Sequence, residues 1–221
     1  MAIAFDAASS SNGQNVSSVT WSHTCTGSNR FLFVGVGLDY WTTTGVSTVT
    51  YNAVSCTEKW EVQGGSANRI NGGWYKTAPA TGANNIVVTL DNSPDDIFVG
   101  GMSFTGVDQT TPMDTEASTY ENWGSSVSVD VSSAVNDWVI DNVHVTGNYV
   151  ITEGAGQTNR WEQEQVSGQS AGGSTEAGAT TVTMSWSWPT DTAATIVGCS
   201  INPAGAGPAG IEILRRRREG C

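Results

Sequence analysis

TVTMSWSW (residues 181–188) is the stretch whose reading decides the fold. Val182, Met184, Trp186 and Trp188 fall on one side of an extended chain, and Thr181, Thr183, Ser185 and Ser187 on the other. A period of two with this contrast marks a β-strand with one buried face and one wet face. ATIVGCSI (194–201) follows as another strand, and Pro203 ends the ordered pattern. Upstream, SVTWSHTC (18–25) alternates in the same way, with Val19, Trp21, His23 and Cys25 together. FLFVGVGLDY (31–40) is apolar on both faces, which predicts a central strand covered from both sides.

The remaining segments extend this reading. VSTVTYNAVSC (46–56) predicts a hairpin turning at Asn52-Ala53. INGGWYK (70–76) and NIVVTLD (85–91) predict a second hairpin about TAPATGAN. IFVGGMSFTGV (97–107) is a buried run, and SVSVDV (126–131) and DWVIDNVHV (137–145) are two more strands. No long window carries a 3.6-residue period. About a dozen short strands with turn signals between them predict an all-β, antiparallel two-sheet sandwich of jelly-roll type over residues 1–203.

Residues 204–221 differ. AGAGPAG (204–210) reads as a flexible spacer. It leads to an apolar β-prone stretch with Ile211, Ile213 and Leu214, then the cluster Arg215, Arg216, Arg217 and Arg218. This tail is a candidate partner-binding segment, suited to adding a strand to a neighbouring subunit while its arginines meet acidic groups. A free end is the alternative.

Charge sharpens that contrast. Residues 1–203 carry 19 acids against 5 bases, whereas residues 204–221 carry 4 arginines against 2 acids. An acidic body repels phosphate backbones and anionic bilayers, so neither nucleic acid nor membrane is an expected partner. The start MAIAFDAASSS has neither a basic n-region nor an apolar h-region, so no secretory signal is read there. Cys25, Cys56, Cys199 and Cys221 form no C-x-x-C pair, which removes the usual zinc and redox patterns. A Cys25–Cys56 bridge stays open, and Cys221 is expected at an exposed terminus.

No catalytic residue and no cofactor or metal site is expected. GQSAG (168–172) matches the nucleophile-elbow pattern, but no helix can follow it and both histidines, His23 and His144, lie upstream. GAGPAG (205–210) matches a dinucleotide fingerprint with too little chain after it. The carboxylate pairs Glu162/Glu164, Asp95/Asp96 and Asp137/Asp141 are spacings that an acid-rich chain yields by chance. Asp108, Asp114 and the loop 92–96 lack calcium-loop spacing. The aromatics are a better lead. Tyr40, Trp41, Tyr120, Trp123 and Trp161 fall at strand ends or in loops, where an exposed ring can stack on a sugar face.

The succession FLFVGVGLD, VSTVTYNAVSCTEKW, GGWYKTAPATGANNIVVTL, GGMSFTGVDQTTPMDT and GGSTEAGATTVTMSWSW resembles β-sandwich structural proteins of tailed-bacteriophage virions. The resemblance spans nearly all of residues 16–204. It rests on turn chemistry, WY-x-x-x-P-x-x-G and S-F-x-G-V-D-Q-x-x-P, and carries no catalytic residue. It implies a non-enzymatic head decoration (cement) or tail-fibre component of the virion. The major capsid protein or another virion protein would be its partner, and it would form a homo-oligomer. The alternative is a carbohydrate-binding module or adhesin at the cell surface.

Overall fold

Asn52 and Ala53 both lie at positive φ, 51° and 58°. Two successive left-handed residues make the tight turn whose twist matches that of the flanking strands. They join β4 (Val46–Tyr51) to β5 (Val54–Ser55), the hairpin expected from sequence. The computed structural model describes residues 1–39, 45–64, 69–166 and 168–205. Residues Tyr40 and Trp41, the tail residues 211–218 and Cys221 lie outside that set.

The fold is all-β and antiparallel, with no helix among the described residues. β3 (Phe31–Asp39) is the centre of a five-stranded sheet. Its neighbours are β9 (Asp96–Thr105) and β1 (Ala4–Gln14) on one side, β7 (Arg69–Thr77) and β6 (Thr57–Gln63) on the other. A four-stranded sheet runs β2 (Ser18–Cys25), β8 (Gly82–Leu90), β4, β5. A six-stranded sheet contains β10 (Ala117–Ser132), β15 (Thr181–Ile201), β11 (Trp138–Thr146), β14 (Gln169–Ala177) and β13 (Thr158–Val166) in that order. The short β12 (Thr152–Glu153) pairs with β15 off that path.

Three sheets, rather than two, are therefore stacked. Leu32, Val34, Val36 and Leu38 of β3 pack on Val19, Trp21, Val49, Ile86 and Val88 of the four-stranded sheet. The opposite face of the same strand, Phe31 and Phe33, packs with Ile140, Trp161, Val197 and Cys199 of the six-stranded sheet. β3 is covered on both faces, as its sequence requires.

A third core lies within the six-stranded sheet itself. β10 and β15 pair along their whole length, with register shifts between Glu121 and Ser126. There the ribbon bends and folds over its own sheet. Val127, Val129, Val131, Val182, Met184, Trp186 and Trp188 thereby cover Val139, Val143, Val145 and Ile196. TVTMSWSW and ATIVGCSI are thus two ends of one bent 21-residue strand.

One expected hairpin is absent. β7 pairs with β3 and β6, whereas β8 pairs with β2 and β4. The loop TAPATGAN carries the chain from one sheet to the next instead of turning it back. The same crossing occurs from β1 to β2, β2 to β3, β3 to β4, β5 to β6 and β8 to β9.

The pairings also reveal a duplication. The order β1-β9-β3-β7-β6 in residues 4–105 is repeated as β10-β15-β11-β14-β13 in residues 117–201. Ser17-Ser18-Val19-Thr20-Trp21 recurs as Ser125-Ser126-Val127-Ser128-Val129. Thr57-Glu58-Lys59-Trp60-Glu61 recurs as Thr158-Asn159-Arg160-Trp161-Glu162. Trp60 stands opposite Gly73 after a register shift, and Trp161 stands opposite Gly173 after another. Asn29 and Asn136, each two residues before the central strand of its half, both have positive φ. The halves meet through their five-strand faces, so each half supplies the other's missing core.

Candidate interaction surfaces

Where the two halves meet, polar groups lock them together. Asn71 Nδ2 donates to the carbonyls of Asn142 (2.7 Å) and Thr195 (3.2 Å), and Asn142 Nδ2 returns a bond to Asn71 Oδ1 (2.9 Å). Gly35 is required beside them, since a Cβ there would strike the Asn142 side chain. At the rim, Lys59 pairs with Glu116 at 3.0 Å, and the Arg160 guanidinium lies 3.9 Å over the Phe5 ring.

Several residues with chemical potential are committed to this interior, while Asp108 and Asp114 lie toward the surface. Asp141 is fully buried and accepts from Ser174 N–H (2.6 Å), Trp186 Nε1–H (2.8 Å) and Gln157 Nε2–H (3.3 Å). Burial pushes its pKa up to about 6 against the pull of those donors. Ser170, the serine of GQSAG, sits in β14 with its hydroxyl between the carbonyls of Gly147 (3.0 Å) and Tyr149 (2.8 Å). Asp137 caps the Ala134 N–H and accepts from Ser200 Oγ. Asp108 accepts from the amides of Thr110 and Thr111, and Asp114 from Asn202. Cys25, Cys56 and Cys199 are free thiols. Burial pushes the last two up to about 11 and about 12.

Both histidines are buried. His23 Nδ1 meets Ser9 Oγ at 2.7 Å, and that oxygen also accepts from Trp21 Nε1. Burial lowers His23 to about 4, with Asp6 pulling weakly the other way. His144, packed on Phe98 and facing Gly37, is lowered to about 3 by burial and by Arg69.

Each histidine takes up its proton near pH 6.5 when unfolded but far lower when folded. Their stability contribution is therefore complete above pH 6.5 and is lost as pH falls toward 4. Asp141 has the opposite sign, because the folded state holds its proton from about pH 6 down. Two protons against one leave a net loss of about 1.4 kcal/mol per pH unit between pH 6 and 4. Urea midpoints should fall as pH is lowered across that range, and His144→Leu should make the fall shallower. An unchanged slope in that variant would contradict the assignment.

The outward surface is different in kind. Thr20, Ser22 and Thr24 line one outer wall, and Ser126, Ser128, Thr183 and Ser187 the other. On the first wall, Thr50, Asn52, Ala53, Ala83, Asn84, Asn85 and Val87 line an open groove of about 520 Å³. It holds amides and hydroxyls but no charge, and its residues come from two strands that are not consecutive in sequence. That is why sequence reading missed it.

Of the aromatics expected on the surface, Trp123 is 75% exposed and Tyr120 51% exposed. Both belong to the stretch of β10 leading into the bend of the ribbon. There the Trp123 N–H bonds Glu121 Oε1, and Trp188 Nε1 bonds the Gly124 carbonyl. Trp161 corrects the expectation. It is 4% exposed and packs on Gly100 and Gly173, where a Cβ would have no room, so no sugar can reach its face. Among the described residues no cluster of His, Cys, Asp or Glu is arranged to hold a metal. Comparison of the chain with protein-family models, with curated proteins and with solved structures found no match.

Proposed function

We propose that this protein is a structural component of a bacteriophage particle, a capsid decoration protein that docks on the shell and on neighbouring copies of itself. The observation that carries the reading is the division of labour among polar groups. Asp141, Ser170, His23, His144 and the described thiols serve the interior, while the outer walls present hydroxyl ladders and strand edges. Such a surface recognises a partner by shape and backbone hydrogen bonds. We also infer a jelly-roll winding for residues 4–105. The orders β1-β9-β3-β7 and β2-β8-β4-β5, joined by crossings between sheets, match an eight-strand, two-sheet roll. Two such units back to back make a stiff block fit to cement a lattice. The acidic body fits a protein partner better than nucleic acid or membrane.

An antibody against the chain should label intact particles from the source culture at many copies each. Purified protein should bind stripped particles saturably. Particles that neither contain nor bind it would sink this reading.

The exposed Trp123 and Tyr120, with the amide-lined groove, favour one second reading, a carbohydrate-binding module. It predicts sugar-specific signal on a glycan array, reduced about tenfold or more by Trp123→Ala. No retained sugar would remove it.

A further inference from the structure

The seam between the two halves changes character along its length. One end is aromatic. Phe5 meets Phe104 edge-on at 5.8 Å, Phe104 meets Trp138 of the other half at 6.0 Å, and the Arg160 guanidinium covers Phe5. In the middle, Asn71 and Asn142 bond across it. The far end is polar. Asp39 of β3 stands opposite Arg69 of β7 and Asp96 of β9, and Thr146 of β11 stands opposite Gln169 of β14. Gln169 Nε2 donates to Asp39 across the seam, and Gln14 Nε2 donates to Asp96 (3.3 Å).

His144 lies just inside this end. Its ring is fully buried, 6.0 Å from the Phe98 ring and so close to Gly37 that an added Cβ there would lie 3.1 Å from Cγ. Neither ring nitrogen has a hydrogen-bond partner, and the same holds for Arg69 Nε, Thr146 Oγ1 and Gln169 Oε1. Five of the nine buried polar side-chain atoms without a partner, among the described residues, belong to this one end. Each forgoes bonds it would make to water, so closure is favoured less here than at the aromatic end. The charged groups facing the ring are Arg69 from β7, Asp39 from β3 and Asp96 from β9, while β14 and β15 bring Ala171 and Thr195 beside it.

We propose that the seam is an acid-operated hinge: protonation of His144 parts the halves at the polar end while the aromatic end holds. The closed seam has no acceptor for an imidazolium and would set it beside the Arg69 cation. Burial and then Arg69 keep the closed ring neutral down to about pH 3. A ring in water takes up its proton at about pH 6.5. The open state therefore binds one more proton, and opening should rise about eightfold between pH 6 and pH 5. Asp141 faces the ribbon on the other side of the sheet, bonded to Trp186, and keeps that setting in both states. Strand pairing within each sheet is untouched.

The test is thiol labelling by dithiodipyridine, a reagent that works in mild acid, on the full chain carrying Ala171→Cys. Ala171 is fully buried in the seam and stands opposite His144. Two native thiols serve as internal references. Cys199 faces the same seam toward its aromatic end, opposite Ile140, and Cys25 lies in the outer core of the first half. Labelling is mapped by mass spectrometry, and each rate is divided by that of the same thiol in urea at the same pH. The ratio at position 171 should rise about eightfold from pH 6 to pH 5, with Cys199 and Cys25 unchanged, and adding His144→Leu should abolish the rise. Should Ala171→Cys not fold, Thr195→Cys is the second probe, being 2% exposed and opposite His144 on β15. A flat ratio at both probes overturns the proposal. So does an equal rise at Cys25 and Cys199, which means global unfolding, and so does a rise that persists in His144→Leu.

Discussion

Trp161→Ala is expected to destabilise the protein by about 3–5 kcal/mol, the range for emptying a buried tryptophan site. Trp161 lies in the core shared by both halves, with its ring against Gly100 of one and Gly173 of the other. Neither glycine has a side chain to relax into the void. Its indole N–H has no acceptor, so Trp161→Phe should recover most of the loss. The measurement is the urea midpoint at pH 7, with the denaturant slope as a check on the unfolded state. A loss below about 1 kcal/mol in the alanine variant would mean that the halves are not joined there.

Asp141→Ala should cost a similar amount, roughly 3–5 kcal/mol, for a different reason. The carboxylate holds the folded-over ribbon to the sheet beneath through Trp186, and holds β14 through the Ser174 amide. Removing it leaves the buried Ser174 and Trp186 N–H donors without their acceptor. Asp141→Asn should cost about half as much, since one amide oxygen still accepts while the new NH2 group faces a donor. Thermal and urea unfolding of both variants check this. Equal stability of Asp141→Ala and the parent would show that the buried charge costs as much as its hydrogen bonds return.

Much of the fold was legible because alternation is a local property. TVTMSWSW, SVSVDV and SVTWSHTC show which face is buried without reference to any partner. The turn at Asn52-Ala53 was readable from Asn52, a residue type that tolerates positive φ, and Ala53 adopts the same conformation against its preference. The partner of a strand is not a local property. TAPATGAN looks the same whether the chain turns back or crosses to another sheet, so the β7–β8 hairpin was misread. The antiparallel sandwich was legible, and the count of three paired sheets was not, for a related reason. FLFVGVGLD implied cover on both faces, but only the pairings show that each cover is a separate sheet.

Trp161 was expected at a strand end or in a loop, whereas it lies within β13, with the polar Arg160, Glu162 and Gln163 as its neighbours. Its counterpart Trp60, in TEKWEVQ, was the signal that it faces inward, and the duplication had to be seen first. That duplication was hidden because the halves keep matching positions at strand centres and diverge in the loops. The groove at Asn84 and Asn85 needs β4 and β8 side by side, and nothing in either strand announces it.

The account turns on two similar sandwiches fused through their five-strand faces into one rigid body. Native-state amide exchange at Val36 and Val143, the centres of the two halves, tests this most directly. Both amides should open with one common free energy equal to that of global unfolding, and Trp161→Ala should lower both together. Exchange of Val143 while Val36 stays protected, or a shift in only one of them, would contradict it.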